Sequence, residues 1–271
     1  MPELPEVETA RRGIAPSVLG RRLERILVRE PRLRWPVSAA LPQLAAGQQI
    51  CDLRRRAKYL IFDLERGSLL LHLGMSGTLR LLPHDIAPVA HDHVDIVLDS
   101  GLCLRFNDPR RFGSLLWTAE DPLTHTLLRQ LAPEPLDEVF DGAYLTRVAK
   151  GRRVAIKQLL MNSRLVVGVG NIYASEALFR AGIRPLRAAG RITHAQFDAL
   201  AAAIKEVLHE AIRAGGTTLR DFFDPEGLPG YFKQALYVYG RGGEPCRICK
   251  KPIRQIVQSG RSTYFCPGCQ H

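Results

Sequence analysis

No stretch of this 271-residue chain approaches the roughly 18 apolar residues that a membrane-spanning helix needs. A basic amphipathic helix, which could lie on an anionic lipid surface, is also missing. The start lacks the basic residues and apolar run of a secretory signal. It reads MPELPEVE, with carboxylates at Glu3, Glu6 and Glu8 and no basic residue before Arg11. These absences point to a cytoplasmic protein. No long-period repeat occurs, which excludes a solenoid or a propeller. Acid is absent from one stretch and scarce in another. Between Gly142 and Ser175 there is no Asp or Glu, while Arg147, Lys150, Arg152, Arg153, Lys157 and Arg164 are present. From Gly240 to the end, Glu244 is the only acid against six Lys or Arg.

What is present is an ordinary globular composition, 46% hydrophobic and 24% charged, which excludes wholesale disorder. Lys and Arg total 38 against 27 Asp and Glu, a formal charge of +11 and a pI near 9.7. A surface this basic attracts polyanions, nucleic acid first among them. A single basic run is commonly a solvated face. Two such runs flanking specific motifs point to phosphate contacts.

The first half reads as strands. Pro5, suited to a first helical turn, is expected to start a helix in which Val7, Ala10, Ile14 and Val18 fall at helical spacing and Gly20 ends the run. Strand-like stretches follow at 23–29, 48–54, 59–64, 68–73, 93–98 and 102–106, the pattern of a β-sandwich or barrel. The Pro- and acid-rich segment 132–142 reads as a linker. Beyond it the signal is helical, clearest over 193–216. There Phe197, Leu200, Ile204, Val207, Leu208, Ala211 and Ile212 trace one face, Thr193 can cap and Gly215 can terminate.

Cys246-x2-Cys249 and Cys266-x2-Cys269 lie sixteen residues apart, the two-knuckle spacing of a structural zinc site. Four thiolates close a tetrahedron around one ion and leave no open position, so the metal is structural and not catalytic. Disulfides are the alternative, and a cytoplasmic chain disfavours them. The segment between the knuckles reads as a β-hairpin turning near Ser259-Gly260, with Arg261 at its tip. The metal is expected to supply the folding energy of so short a segment. Cys51 and Cys103 fall in strand patterns and read as buried thiols.

Two further segments stand out. VVGVGNIYASE (166–176) has Gly-x-Gly entering a helix, but Tyr173 occupies the position where a dinucleotide fingerprint needs a small residue. The turn still offers glycine-rich backbone and Asn171 at a helix N-terminus, a place for one phosphate. RFNDPRRFG (105–113) sets Arg110 and Arg111 beside Phe112, and HLGMSG (72–77) offers Met75. An aromatic wedge next to Arg is suited to opening a base stack.

With PELPEVET at the start, RRAKYL (55–60), HLGMSG, HDHVD (91–95), NDPRRFG, VVGVGNIYASE and the four-cysteine segment in order, the chain closely resembles the bacterial formamidopyrimidine-DNA glycosylases along its whole length. The resemblance implies an α+β fold. An N-terminal β-sandwich with a flanking helix spans 1–132, a helical helix-two-turn-helix domain spans 133–239, and a C-terminal zinc-finger β-hairpin spans 240–271. The related endonuclease VIII group, which acts on oxidised pyrimidines, typically begins Pro-Glu-Gly-Pro, whereas this chain has Pro-Glu-Leu-Pro.

The resemblance further implies a DNA glycosylase and abasic-site lyase that excises oxidised purines, with one structural Zn2+, no catalytic metal and a monomeric state. Its partner would be double-stranded DNA bearing oxidised purines or abasic sites, and its place the bacterial cytoplasm, at the nucleoid through DNA binding. Pro2, exposed as a free secondary amine once Met1 is trimmed, would be the nucleophile. An α-amino group has a pKa of about 7.7–8.0 against about 10.4 for a lysine side chain, so it is partly neutral near pH 7. Glu3 would be the general acid and Glu6 a supporting group, with Glu8 a solvated helix residue. Lys58 would act in β-elimination and Arg261 in δ-elimination. His91, Arg110, Arg152 and Asn171 would touch DNA, Met75, Arg110 and Phe112 would fill the void left by the flipped base, and the loop from Thr217 to Tyr231 would form a lid. A non-enzymatic zinc-finger DNA-binding protein and an endonuclease VIII-like enzyme are the alternatives.

Overall fold

The computed structural model describes residues 2–216 and 236–271, so the expected lid lies outside the described residues. The described chain divides into two compact units. One runs to Gln130 and takes in Gly215 and Gly216; the other comprises Leu131–Ala214 and the chain from Leu236 to His271. Among the described residues, no helix is long and apolar enough to cross a membrane.

The first unit holds α1 (Leu4–Val18), β1 (Leu23–Val28), α2 (Leu41–Ala45), β2 (Ile50–Arg56), β3 (Tyr59–Leu64), β4 (Gly67–His72), β5 (Thr78–Pro83), β6 (Asp92–Leu98), β7 (Leu102–Asn107) and β8 (Ser114–Thr118). These strands form two four-stranded sheets, ordered β1-β6-β7-β5 and β2-β3-β4-β8, and every pairing is antiparallel. Alternation along the strands makes the sandwich. Leu60, Phe62 and Leu64 of β3, Leu69 and Leu71 of β4, and Val94, Ile96 and Leu98 of β6 all point into one core, as a two-residue side-chain period requires. Val7, Ala10, Ile14 and Val18 of α1 join that core, and the helix packs against β2 and β3.

The six expected strands are all present. The two not foreseen, β5 and β8, are edge strands. In both, burial fades along the strand instead of alternating, so the two-residue pattern is weak. Helix α1 begins at Leu4, not Pro5, with Glu3 as its N-cap. Cys103 is buried as expected, whereas Cys51 is exposed on β2. That strand buries Ile50 and Leu53, and Cys51 falls between them on the outward side.

The second unit holds α3 (Gly142–Ala149), α4 (Ile156–Leu160), α5 (Asn171–Arg180), α6 (His194–Arg213) and the hairpin β9 (Arg254–Gln258) and β10 (Arg261–Phe265). Asp141 caps α3 by accepting from the Tyr144 N–H at 2.6 Å. Thr193 and Gln196 form a capping box on α6, worth about 1 kcal/mol to a helix start. Helix α6 packs against both α3 and α5. Segment 132–142 is not a loose linker. Phe140 is fully buried and meets the Tyr144 ring, and the Ala132 N–H donates to the Ser163 carbonyl at 3.0 Å. The hairpin turns at Ser259 and Gly260, both at positive φ, as its spacing implied.

Candidate active site

The start of α1 is built from its own acids. The Glu6 carboxylate accepts from the Glu3 N–H at 2.8 Å, which satisfies a donor that the helix cannot. Pro2, Glu3 and Glu6 are all buried, and Gly216 packs against the Glu6 side chain. Two contacts fix how α1 crosses β2. Arg11 Nη1 donates to the Leu53 carbonyl at 3.3 Å, and Arg55 Nε donates to Glu8 Oε2 at 3.2 Å. Moving back along the helix therefore means moving forward along the strand. The five residues from Glu8 to Glu3 rise about 7.5 Å, the length of about two strand residues. That step leads from Arg55 to the two-residue turn Ala57–Lys58. These contacts direct the start of α1 toward the end of β2, where the turn carrying Lys58 begins.

The turn itself is held in an unusual shape. Ala57 has φ +53°, a conformation that favours glycine, and Arg55 Nη1 donates to its carbonyl at 3.0 Å. Glu8 is not a solvated residue, contrary to expectation. It is 8% exposed and binds Arg11, Arg12 and Arg55 at 2.8–3.2 Å. The sequence of α1 alone does not show Arg55, which β2 brings to Glu8.

A residue that the sequence reading passed over completes this wall. His72 ends β4, pairs across the sheet with Tyr59 and meets its ring at 4.7 Å between centroids. Its Nδ1 accepts from the Gly74 N–H at 2.9 Å. Burial, then the charges of Lys58 and Arg34, push its pKa down to about 4, so it is a neutral imidazole near pH 7. The signal was in HLGMSG, where attention went to Met75.

Met75, His91, Arg110 and Phe112 come from three loops of the same unit, and all four are exposed. The structure brings the HLGMSG turn and the PRRFG loop into backbone contact. A Cβ at Gly74 would stand 2.4 Å from the Gly113 nitrogen and 2.5 Å from the Phe112 carbonyl carbon, so only glycine fits there. The Arg110 guanidinium lies 4.8 Å from the centre of the Phe112 ring. Met75 and Phe112 remain 39% and 43% exposed, two apolar side chains presented to solvent from fixed backbone.

The second unit carries its own constellation. Asn171 opens α5, and its Nδ2 donates to the Ser262 carbonyl at 3.0 Å. Lys157 of α4 is buried, its Nζ donating to Thr263 Oγ1 at 2.7 Å and to the Ser262 carbonyl at 3.3 Å. Together with Gln158, Ser259 and Arg261 they line a pocket of about 320 Å³. The pocket is thus lined by two cationic side chains, Lys157 and Arg261, and by polar groups bonded to one another across the hairpin. Arg152 is exposed after α3, donates to the Val148 carbonyl at 2.6 Å and does not line this pocket. Lys157 was visible in sequence only as one of several basic residues. Glu176, buried in α5, was also missed. It accepts from the N–H groups of Tyr237, Val238 and Tyr239 at 2.8–2.9 Å and so ties the chain leading to the finger onto α5. Burial raises its pKa, and the three donors work against that.

The four cysteines of the finger meet in one place. Their Sγ atoms all lie within 4.8 Å of one another, with Cys249 and Cys266 at 3.3 Å and Cys246 and Cys269 at 3.9 Å. Tetrahedral zinc at about 2.3 Å from each sulfur places them about 3.8 Å apart, so the donor set fits that ion. Cys246, Cys266 and Ile253 also pack on Phe179 and Val238, and the finger shares a core with α5.

Known proteins match this chain along nearly its whole length. The family model for the formamidopyrimidine-DNA glycosylase N-terminal domain matches residues 1–115, and that for the H2TH domain matches 131–223. A zinc finger found in the same enzymes and in IleRS matches 243–271. A formamidopyrimidine-DNA glycosylase of Methylococcus capsulatus is 57% identical over 270 residues, covering 100% of both chains. The crystal structure of the MutM (Fpg) protein from Thermus thermophilus superposes with a TM-score of 0.90 at 42% identity, covering 99% of this chain and 98% of that one. Lactococcus lactis Fpg, in complexes with Fapy-dG-containing and abasic-site-containing DNA, superposes at 0.91 with 33% identity and 99% coverage of each chain. By sequence, fold and cysteine cluster alike, this chain belongs to the formamidopyrimidine-DNA glycosylase family.

Proposed function

We propose that Pro2, freed by removal of Met1, is the nucleophile through which this DNA repair glycosylase excises oxidised purines and then cleaves the strand. The enzyme is a formamidopyrimidine-DNA glycosylase with the abasic-site lyase activity of its family, and lesion-bearing or abasic DNA is its substrate. In the proposed sequence the Pro2 nitrogen bonds to the sugar C1′ as the bond to the base breaks, and the base leaves with that electron pair and the proton that the nitrogen gives up, which restores the nitrogen lone pair. Glu3 protonates the opening sugar oxygen, and the nitrogen lone pair closes an iminium. Loss of a C2′ proton then expels the 3′ phosphate, with Lys58 handling the proton. A second loss from C4′ expels the 5′ phosphate, with Arg261 at that phosphate. Glu6 holds the Glu3 backbone. His91, Arg110, Arg152 and Asn171 bind DNA, and Met75, Arg110 and Phe112 fill the space that the base leaves. One structural zinc ion orders the finger and takes no part in the chemistry.

The observation that supports this reading is the buried start of α1, where Pro2 precedes the paired Glu3 and Glu6 and the Glu8–Arg55 and Arg11–Leu53 contacts hold the helix on β2. The capping of α1 by Glu6 accounts for one buried acid, and a nucleophilic terminus gives the buried Glu3 beside it a chemical role as well. The chain is read as three parts, 1–132, 133–239 and 240–271, a division supported by the three family-model matches. It is further read as a monomer of the bacterial cytoplasm that meets the nucleoid through DNA.

Borohydride reduction in the presence of abasic-site DNA tests the nucleophile. A covalent adduct mapping by mass spectrometry to Pro2 is expected. An adduct at Lys58, or none with trimmed, zinc-loaded protein, would remove Pro2 from the mechanism.

A further inference from the structure

Met75, His91, Arg110 and Phe112 stand on three loops, and one buried residue touches all three, two through its side chain and the third through its backbone. Asp108 has no exposed surface. Its Oδ1 accepts from the Ser76 hydroxyl at 2.8 Å, next to Met75. Its Oδ2 accepts from the Gly113 N–H at 2.7 Å, next to Phe112. Its own N–H donates to the His91 carbonyl at 3.1 Å. Its carbonyl accepts from the Arg111 N–H at 3.1 Å and from His93 Nε2 at 2.8 Å. Within this knot His91 and Arg111 hold φ of +71° and +54°, conformations that persist only where the surroundings fix them.

We propose that Asp108 is the positioning residue that locks the Met75 turn and the Arg110–Phe112 loop into one rigid wedge. The proposal rests on the reading of those residues as the void-filling set. Side chains that take the place of a base must resist the closing of the stack, and a flexible loop would be pushed out. Asp108 lies in sequence between the DNA-facing residues, yet it is fully buried and has no surface left for DNA. Its loss should therefore be felt where a base has to leave a duplex and a void must be filled. It should not be felt in chemistry on a strand with no partner and no void.

The test compares two rates for each protein. One is excision of 8-oxoguanine from duplex DNA. The other is cleavage of an abasic site in single-stranded DNA. Asp108→Ala should lower the ratio of the first to the second by about tenfold or more, roughly one decade of barrier height. Asp108→Asn should restore most of that ratio, because its amide oxygen can still accept from the Gly113 N–H while the Ser76 hydroxyl reverses to accept from the amide. Ser76→Ala, which cuts one arm, should lower the ratio by about threefold, and it carries the test if Asp108→Ala does not fold by circular dichroism. An unchanged ratio, whether both rates fall together or neither falls, overturns the proposal and leaves Asp108 a structural residue. Failure of Asp108→Asn to restore the ratio overturns it too, since a charge and not a tie would then be at work. If the wild-type protein cleaves neither substrate, the enzymatic reading itself fails, and the wedge falls with it.

Discussion

The Glu8 carboxylate meets three guanidinium groups, from Arg11 and Arg12 on its own helix and Arg55 on β2. Burial alone would raise its pKa. The hydrogen bonds and charges of those arginines outweigh this and hold it at about 2, against an ordinary 4.5. A carboxyl whose folded pKa is depressed adds stability above its unfolded pKa and loses that contribution as pH falls through the folded value. Glu8→Gln should therefore destabilise the protein by about 1–3 kcal/mol at pH 7. The gap from wild type should shrink as pH falls from 4.5 towards 2, as read by urea unfolding at each pH. A gap that does not change with pH would show that the charge of Glu8 contributes nothing. Pro2 makes its own prediction. One residue left ahead of it turns the amine into an amide with no basic lone pair. Strand cleavage should then fall by at least about a thousandfold, since nucleophilic catalysis is lost outright. Undiminished cleavage of abasic DNA by an N-terminally extended protein would contradict the assignment.

At the scale of the element, the finger and the helix α5 form one piece. Cys266 lies in the core with Phe179 of α5, Asn171 and Lys157 reach the Ser262–Thr263 backbone and side chain, and Glu176 holds 237–239. Removing a thiolate should therefore damage more than the finger. Cys246→Ser is expected to release zinc and to weaken DNA binding by about tenfold or more, because the Arg261 hairpin and its pocket lose their frame. Metal analysis and a binding titration measure the two effects. Full zinc content in the variant would count against this ligand set. The finger was legible in sequence because metal spacing and a two-residue turn are local facts. The strands β5 and β8 were not, since burial falls off along each of them and leaves little alternation to read.

For the whole molecule, an excess of +11 implies binding that runs on released counterions. Affinity for lesion DNA should drop by about a hundredfold or more between 50 and 200 mM salt if about four phosphates or more are engaged. A flat salt response would mean that the acid-poor stretches do not meet the backbone. Relatives matched end to end show that the motifs read in order were enough to assign the family.

What the sequence by itself determined are the features written in short spacing. These are the two cysteine knuckles, the capped helix α6, the alternating central strands and the acidic start ahead of a proline. What only the tertiary structure decided are the meetings between distant residues. Glu8 became a buried ion-pair partner because β2 carries Arg55 to it. His72 became a buried neutral imidazole because β3 and β4 pair it with Tyr59 in register. Met75 and Phe112 came to share one frame because Gly74 lets two backbones touch and Asp108 ties them. The physical reason is the same in each case. Spacing encodes what neighbours in the chain can do, whereas burial, charge and hydrogen-bond partners depend on which strands lie side by side.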